Sequence, residues 1–280
     1  MTILMSILLG IIQGIAEFIP VSGSGHFAII MALFDNAQIR ENNAVFMVFM
    51  HLATLISICV AFRKEIGEMI SDSLEYLRDR GDSVSGEAAA LKPPARTTLF
   101  VIIGTLPMLI ALIFRGRVEA LMLNTAFVGF ALIATGALLI VTDKYIKRGS
   151  KSEKTMQLAD ALLIGLAQVV ATLPGFSRSG TTIAVGLARG FSGSFAVKFS
   201  LLLSIPTVFG GVIFYISRAV SSGAGFSLFG TYLIGFAIAT VIGFFAIQIL
   251  RRILAKGGFG KIAFYCLIVG AVTLIISLIF

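Results

Sequence analysis

Seven residues, P-G-F-S-R-S-G at 174–180, place an arginine in an apolar region with no acid close by in the chain. A planar fork of N–H donors in such a place suits an anion, and phosphate oxygens match its geometry. Ser177 and Ser179 add hydroxyls to Arg178. A helix starting near Thr181 would turn free backbone N–H groups toward the same spot. A second polar stretch, Q-G-I-A-E-F-I-P-V-S-G-S-G-H at 13–26, supplies complementary groups. Glu17 follows Gln13 by four residues, which puts both on one face of a helix. Ser22 and Ser24 come next in a turn, then His26, which can return toward Glu17 if the hairpin is tight. Carboxylate, imidazole, hydroxyls and guanidinium together suit phosphoryl transfer, where positioning and charge stabilisation carry most of the catalysis.

Each group also has a plainer reading. An ionisable residue inside an apolar segment is costly and by default functional. Yet Glu17 could be protonated and bonded to a neighbouring helix, or simply paired with Arg178, and His26 could be a structural tether. His51, the only other histidine, sits in an apolar run and reads as support for the site or as packing.

The elements that must position these residues are membrane helices. Of 280 residues 58% are hydrophobic and only 13% charged, about half the usual charge of a soluble chain. Mean hydropathy is +1.01. An amphipathic surface helix cannot raise a whole-chain average this far, and no cleavage signal follows the first apolar run, so a polytopic integral membrane protein is expected. The net charge of +8 is concentrated in short loops, which argues for topology rather than nucleic-acid binding. Cys59 and Cys266 fall in apolar runs and read as small buried hydrophobes.

Segments long enough to cross a bilayer occur at 43–62, 97–114, 121–142, 195–217, 226–249 and 262–280, the third suited to close packing through Gly129 and Gly136. Two others are broken. Residues 3–19 run into P-V-S-G-S-G-H and then a short stretch, 27–34; residues 158–173 run into P-G-F-S-R-S-G and then 181–188. An offset of 155 pairs Gly10 with Gly165, Gln13 with Gln168, Ser22 with Ser177 and Ser24 with Ser179, as an internal duplication would.

Basic residues collect at 63–96, 143–154 and 251–261, although the first region holds six Lys/Arg against seven acids. With all three on the cytoplasmic side, loops 115–120 and 218–225 face outside. Segment 43–62 must then run inward, so the first broken pair enters and leaves from outside. The second does so from the cytoplasm. The expectation is all-α: six spanning helices plus two re-entrant pairs in an inverted-topology repeat, with tips meeting mid-membrane. One membrane domain is expected over 1–280, with halves near 1–120 and 155–280 joined by 121–154. The polar loop 67–95 reads as an amphipathic helix followed by a flexible segment. A cavity between hydrocarbon and water suits an amphiphile with its phosphate at the tips.

The two polar stretches, with H-L-A-T-L-I-S-I-C-V-A-F-R-K-E-I at 51–66, resemble the signature regions of the bacitracin-resistance undecaprenyl-diphosphatase family over essentially the whole chain. The resemblance implies an interdigitated inverted repeat in the bacterial cell (inner) membrane, with a site reached from the periplasmic or outer face. It implies removal of one phosphate from undecaprenyl diphosphate, recycling the carrier for cell-wall synthesis and conferring bacitracin resistance. It also implies dependence on a divalent cation, Mg2+ or Ca2+. By position, Glu17, His26 and Arg178 take catalytic places, Glu17 also holding metal. Gln13 stands where an acid is common, and Ser22, Ser24, Ser177 and Ser179 are placed to bind substrate. Gly23 departs from the pattern, standing where the family usually has its second serine. Glycine cannot attack phosphorus, so Ser24, His26 or water attacks, or the chain is impaired. His26 would be a nucleophile or a general acid or base.

The partners implied are a polyprenyl diphosphate and membrane lipids, not nucleic acid, and a homodimer is compatible. The competing class is a transporter or flippase for a polyprenyl phosphate or another anion, since inverted repeats with broken helices also build carriers.

Overall fold

The computed structural model describes residues 2–33, 43–82, 92–146, 149–221, 228–256 and 258–279. They form helices throughout: α1 (Ile3–Ala16), α2 (Gly23–Leu33), α3 (Asn43–Ala61), α4 (Arg63–Asp82), α5 (Pro93–Thr105), α6 (Met108–Ile113), α7 (Arg115–Met122), α8 (Thr125–Tyr145), α9 (Leu158–Val170), α10 (Arg178–Ala188), α11 (Gly193–Ser221), α12 (Phe229–Lys256) and α13 (Gly260–Ile279). Six stretches among the described residues are long and apolar enough to cross a membrane: α3, α5 with α6, α8, α11, α12 and α13.

The observed helix ends differ from the sequence reading by several residues, and at 97–120 the difference changes the architecture. The segment expected over 97–114 starts earlier and breaks between Thr105 and Met108. Pro93 and Pro94 suit a helix start, where their missing N–H groups cost nothing. Pro107 cannot donate to residue 103 and its ring crowds that carbonyl, so α5 stops before it. The expected outer loop 115–120 is instead helix α7. The amphipathic helix expected within 67–95 is α4, beginning at Arg63; the segment after it, 83–91, lies outside the described residues.

Small residues set the packing. Gly10 and Gly14 of α1 bring its backbone against α12: a Cβ at Gly10 would lie 2.6 Å from the Gly235 carbonyl, and one at Gly14 would lie 2.9 Å from that of Ala239. Gly129 and Gly136 do the same for α8 against Gly270 and Ala263 of α13. Between apolar helices in lipid, close van der Waals contact of this kind replaces the hydrophobic effect as the cause of association.

The two ends of the molecule are chemically distinct. At one end Arg96 donates to the carbonyls of Lys154 and Met156 at 3.0 and 2.8 Å, and Arg251 lies 3.9 Å from Glu65 and 4.2 Å from the centre of the Phe62 ring. The three basic regions therefore meet. At the other end Arg218 of α11 pairs with Glu119 of α7 at 3.0 Å, bringing 115–120 and the start of 218–225 together; residues 222–227 lie outside the described set.

The broken pairs insert from opposite ends. At the base of α9–α10, buried Asp160 takes bonds from Arg189 at 2.7 Å and Lys151 at 3.1 Å, beside the basic end. At the base of α1–α2, Ser6 donates to the Thr231 carbonyl at 2.6 Å, near the start of α12. Each entering helix packs on a spanning helix, α1 on α12 and α9 on α5. Cys59 departs from expectation: it sits on the exposed face of α3, while Cys266 is buried.

Candidate functional site

The tips of the two pairs touch. A Cβ on Gly25 would lie 3.0 Å from the Cα of Gly175, and one on Gly180 would lie 3.1 Å from Pro20 Cβ. Both turns are capped alike: Ser22 Oγ accepts from Gly25 N–H and Ser177 Oγ from Gly180 N–H, each at 3.1 Å. In both, that hydroxyl also contacts the serine two residues on, at 3.4 and 3.3 Å. Gly175 takes a φ of +94°, which glycine adopts freely, whereas Ser22 is held at +69°. The left-handed region costs an L-residue roughly 1–2 kcal/mol, and such strain gathers at functional sites.

Glu17 caps the end of α1 and receives both polar neighbours. Arg178 Nη2 donates to its Oε1 at 2.6 Å, and Gln13 Nε2 donates to its Oε2 at 3.1 Å. The i, i+4 spacing of Gln13 and Glu17 produces the second bond. The ion pair is largely enclosed, with side-chain exposures of 18% and 17%.

Beside this pair lies a cavity of about 650 Å³, within the range that accommodates a small ligand. Gln13, Glu17, Gly23, Ser24 and His51 line its polar part; Phe27, Met47, Leu109 and Phe214 are among its apolar walls. On α11 its lining runs from Pro206 to Tyr215, and Arg218 lies one turn beyond. The cavity therefore occupies the half of the molecule away from the basic end. Glu17 and Thr172, and likewise His51 and Pro206, are 155 residues apart and line it together.

Several residues face elsewhere. His26 is two residues past Ser24, about 200° around a helix, and points away from Glu17. Its Nδ1 lies 2.8 Å from the Ser22 carbonyl and its Nε2 2.7 Å from Tyr265 Oη, the two rings stacked at 5.6 Å. It lines a separate groove with Ile12, Ile19 and Lys261. The expected return of His26 toward Glu17 is not the geometry of this structure. Ser22, Ser177 and Ser179 are likewise buried and tied into their caps, whereas Ser24 faces the cavity.

His51 takes the position that sequence spacing did not assign. The Met47 carbonyl, 2.9 Å from its Nδ1, can only accept, so Nδ1 carries a proton. The opposite ring edge lies against Gly211, another lining residue, and the ring contacts Tyr215 at 5.2 Å. The position of His51 in a spanning helix with no adjacent polar residue hid this placement; only the partner helices show which face is inward.

A membrane protein with two broken helix pairs meeting at an enclosed carboxylate–guanidinium pair is defined by this fold and site. The family model described as bacitracin resistance protein BacA matches residues 6–272. The chain belongs to that family. It is 32% identical over 280 residues to an undecaprenyl-diphosphatase of Methanosphaera stadtmanae, covering 99% of each chain. It is 35% identical to one from Methanobrevibacter smithii, covering 97% of this chain and 96% of the relative. A third, from Halothermothrix orenii, is 34% identical over the full length of both.

Proposed function

We propose that this chain hydrolyses undecaprenyl diphosphate to undecaprenyl phosphate and inorganic phosphate. The observation that carries the reading is the Glu17–Arg178 pair beside a polar-ended, apolar-walled cavity, in a chain whose relatives are named for that activity. The diphosphate head sits at the tips and the isoprenoid lies along Phe27, Met47 and Leu109. Water oxygen bonds to the terminal phosphorus as its bond to the bridging oxygen breaks. Arg178 follows the charge that develops on the phosphoryl oxygens, since electrostatic stabilisation is the protein's main contribution to such a reaction. Ser24 and His51, which line the cavity with Glu17, bring a hydroxyl and an imidazole that can orient water or exchange its proton.

The divalent cation belongs to the same proposal. Among the described residues no group of three or more His, Cys, Asp and Glu side chains is assembled. Glu17 retains acceptor capacity beyond its bonds to Arg178 and Gln13, and the Gln13 carbonyl oxygen is a neutral donor. That set fits an ion held by one carboxylate and mostly by the substrate's phosphates, as Mg2+ often is. Bound there, it would neutralise diphosphate charge. Access from the outer face is supported by the cavity's position opposite the basic end. Halves of inverted topology meeting at the tips, and self-association as a homodimer, are carried as parts of this proposal.

The test is purified protein in sealed vesicles with undecaprenyl diphosphate, with Mg2+, Ca2+ or chelator. Cation-dependent release of inorganic phosphate supports hydrolysis. Movement of intact lipid between leaflets with no release would establish the carrier reading instead.

A further inference from the structure

Arg178 reaches the cavity only through its bond to Glu17, but another arginine stands on the cavity wall itself. Arg115, the first residue of α7, lines it with Val118, Glu119 and Met122. Nearby charges are already matched: Arg178 is paired with Glu17 at 2.6 Å and Arg218 with Glu119 at 3.0 Å. Among the described residues Arg115 has no carboxylate within ion-pair distance. Its guanidinium lies 4.8 Å from the centre of the Phe214 ring, also on the cavity wall. A cation–π contact of that kind takes up no carboxylate, so the guanidinium keeps N–H donors for an anion.

Its depth follows from α7. The Glu119–Arg218 pair holds α7 to the last turn of α11, one turn beyond the cavity's limit at Tyr215. Arg115, exposed and packed on Phe214 one turn short of Arg218, therefore stands at the outer end of the cavity, and Glu17 lies at the meeting of the tips.

We propose that Arg115 is a second phosphate-recognition point at the mouth of the cavity, taking the phosphate group that passes there. Resting on the reading that the cavity receives a diphosphate head, it deepens that reading by adding a station on the route. The ligand chemistry is a phosphate with exposed anionic oxygens. Its source is either the lipid diphosphate arriving or inorganic phosphate leaving.

The experiment compares full-length Arg115→Ala and Arg115→Lys with Arg117→Ala. Arg117 belongs to the same helix, is exposed as Arg115 is and lies against Phe114, but is absent from the cavity wall. Three quantities are measured: steady-state constants for undecaprenyl diphosphate, inhibition by inorganic phosphate, and equilibrium binding of radiolabelled inorganic phosphate without turnover. Arg115→Ala should weaken phosphate recognition about tenfold or more, the scale of one charge-assisted hydrogen bond. Arg115→Lys should recover part of it and Arg117→Ala should match the parent. A rise in KM alone identifies the lipid head as the anion; a parallel rise in the inhibition constant adds released phosphate. Arg115→Ala values equal to those of Arg117→Ala in all three measurements overturn the proposal. A parent that releases no phosphate defeats hydrolysis, and the binding measurement then decides Arg115 separately. Thermal unfolding in detergent confirms that each variant is folded, and Arg115→Lys keeps the charge where Ala does not fold.

Discussion

Glu17 and Arg178 are 161 positions apart in the chain and 2.6 Å apart in space, each held at the break of its own helix pair. Among the described residues neither has a second full charge at ion-pair distance to replace the other. Side chains acting as a unit give non-additive losses. Glu17→Gln and Arg178→Gln should each reduce phosphate release by about a hundredfold or more, a scale set by loss of a transition-state charge partner. The double variant should be little worse than the poorer single. Additive losses in initial rates would show that the two act independently.

Gln13 donates to the Glu17 oxygen that Arg178 leaves free. Gln13→Glu replaces that donor with a second carboxylate, and two carboxylates this close need a proton or a cation between them. The half-activating Mg2+ concentration should therefore fall in the variant, while KM for the anionic substrate rises. Titration of activity against Mg2+ measures both. An unchanged metal requirement would place the cation away from this pair.

Gly23 is the departure from the family pattern most open to test. A Cβ there would meet the backbone of Ala16 at 3.5 Å and Glu17 N at 3.7 Å, ordinary contact distances, and its φ is not positive. Gly23→Ser should fold with an unchanged melting temperature and release phosphate at or above the parent rate, because it adds a hydroxyl to the cavity wall. A large loss of rate in folded protein would mean that the substrate needs the space a glycine leaves. Gly25 offers the contrast: its Cβ would meet Gly175 of the opposite tip.

The six spanning stretches, the two breaks and the charge asymmetry were legible because length, hydropathy and Lys/Arg placement act residue by residue. The Glu17–Arg178 pair was also legible, as the plainer reading of two unpaired ions in hydrocarbon. What local spacing could not give was the direction each side chain takes once helices pack. His26 and Ser24 are two residues apart and face different cavities, whereas His51, isolated in the sequence, joins the site because α11 presents Gly211 and Tyr215 to it. The resemblance gives the serines of both turns as substrate ligands, yet the buried caps take up Ser22, Ser177 and Ser179 and leave Ser24 on the cavity wall. Pro107 marks the break between α5 and α6, within an apolar run that hydropathy alone reads as one span.

The most direct measurement is the initial rate of inorganic phosphate release from undecaprenyl diphosphate by parent and Arg178→Ala protein, purified and assayed side by side with Mg2+. Release by the parent that disappears in folded Arg178→Ala is the predicted result. Equal release by both, or none from parent protein that binds the lipid, would contradict hydrolysis at the meeting of the two tips.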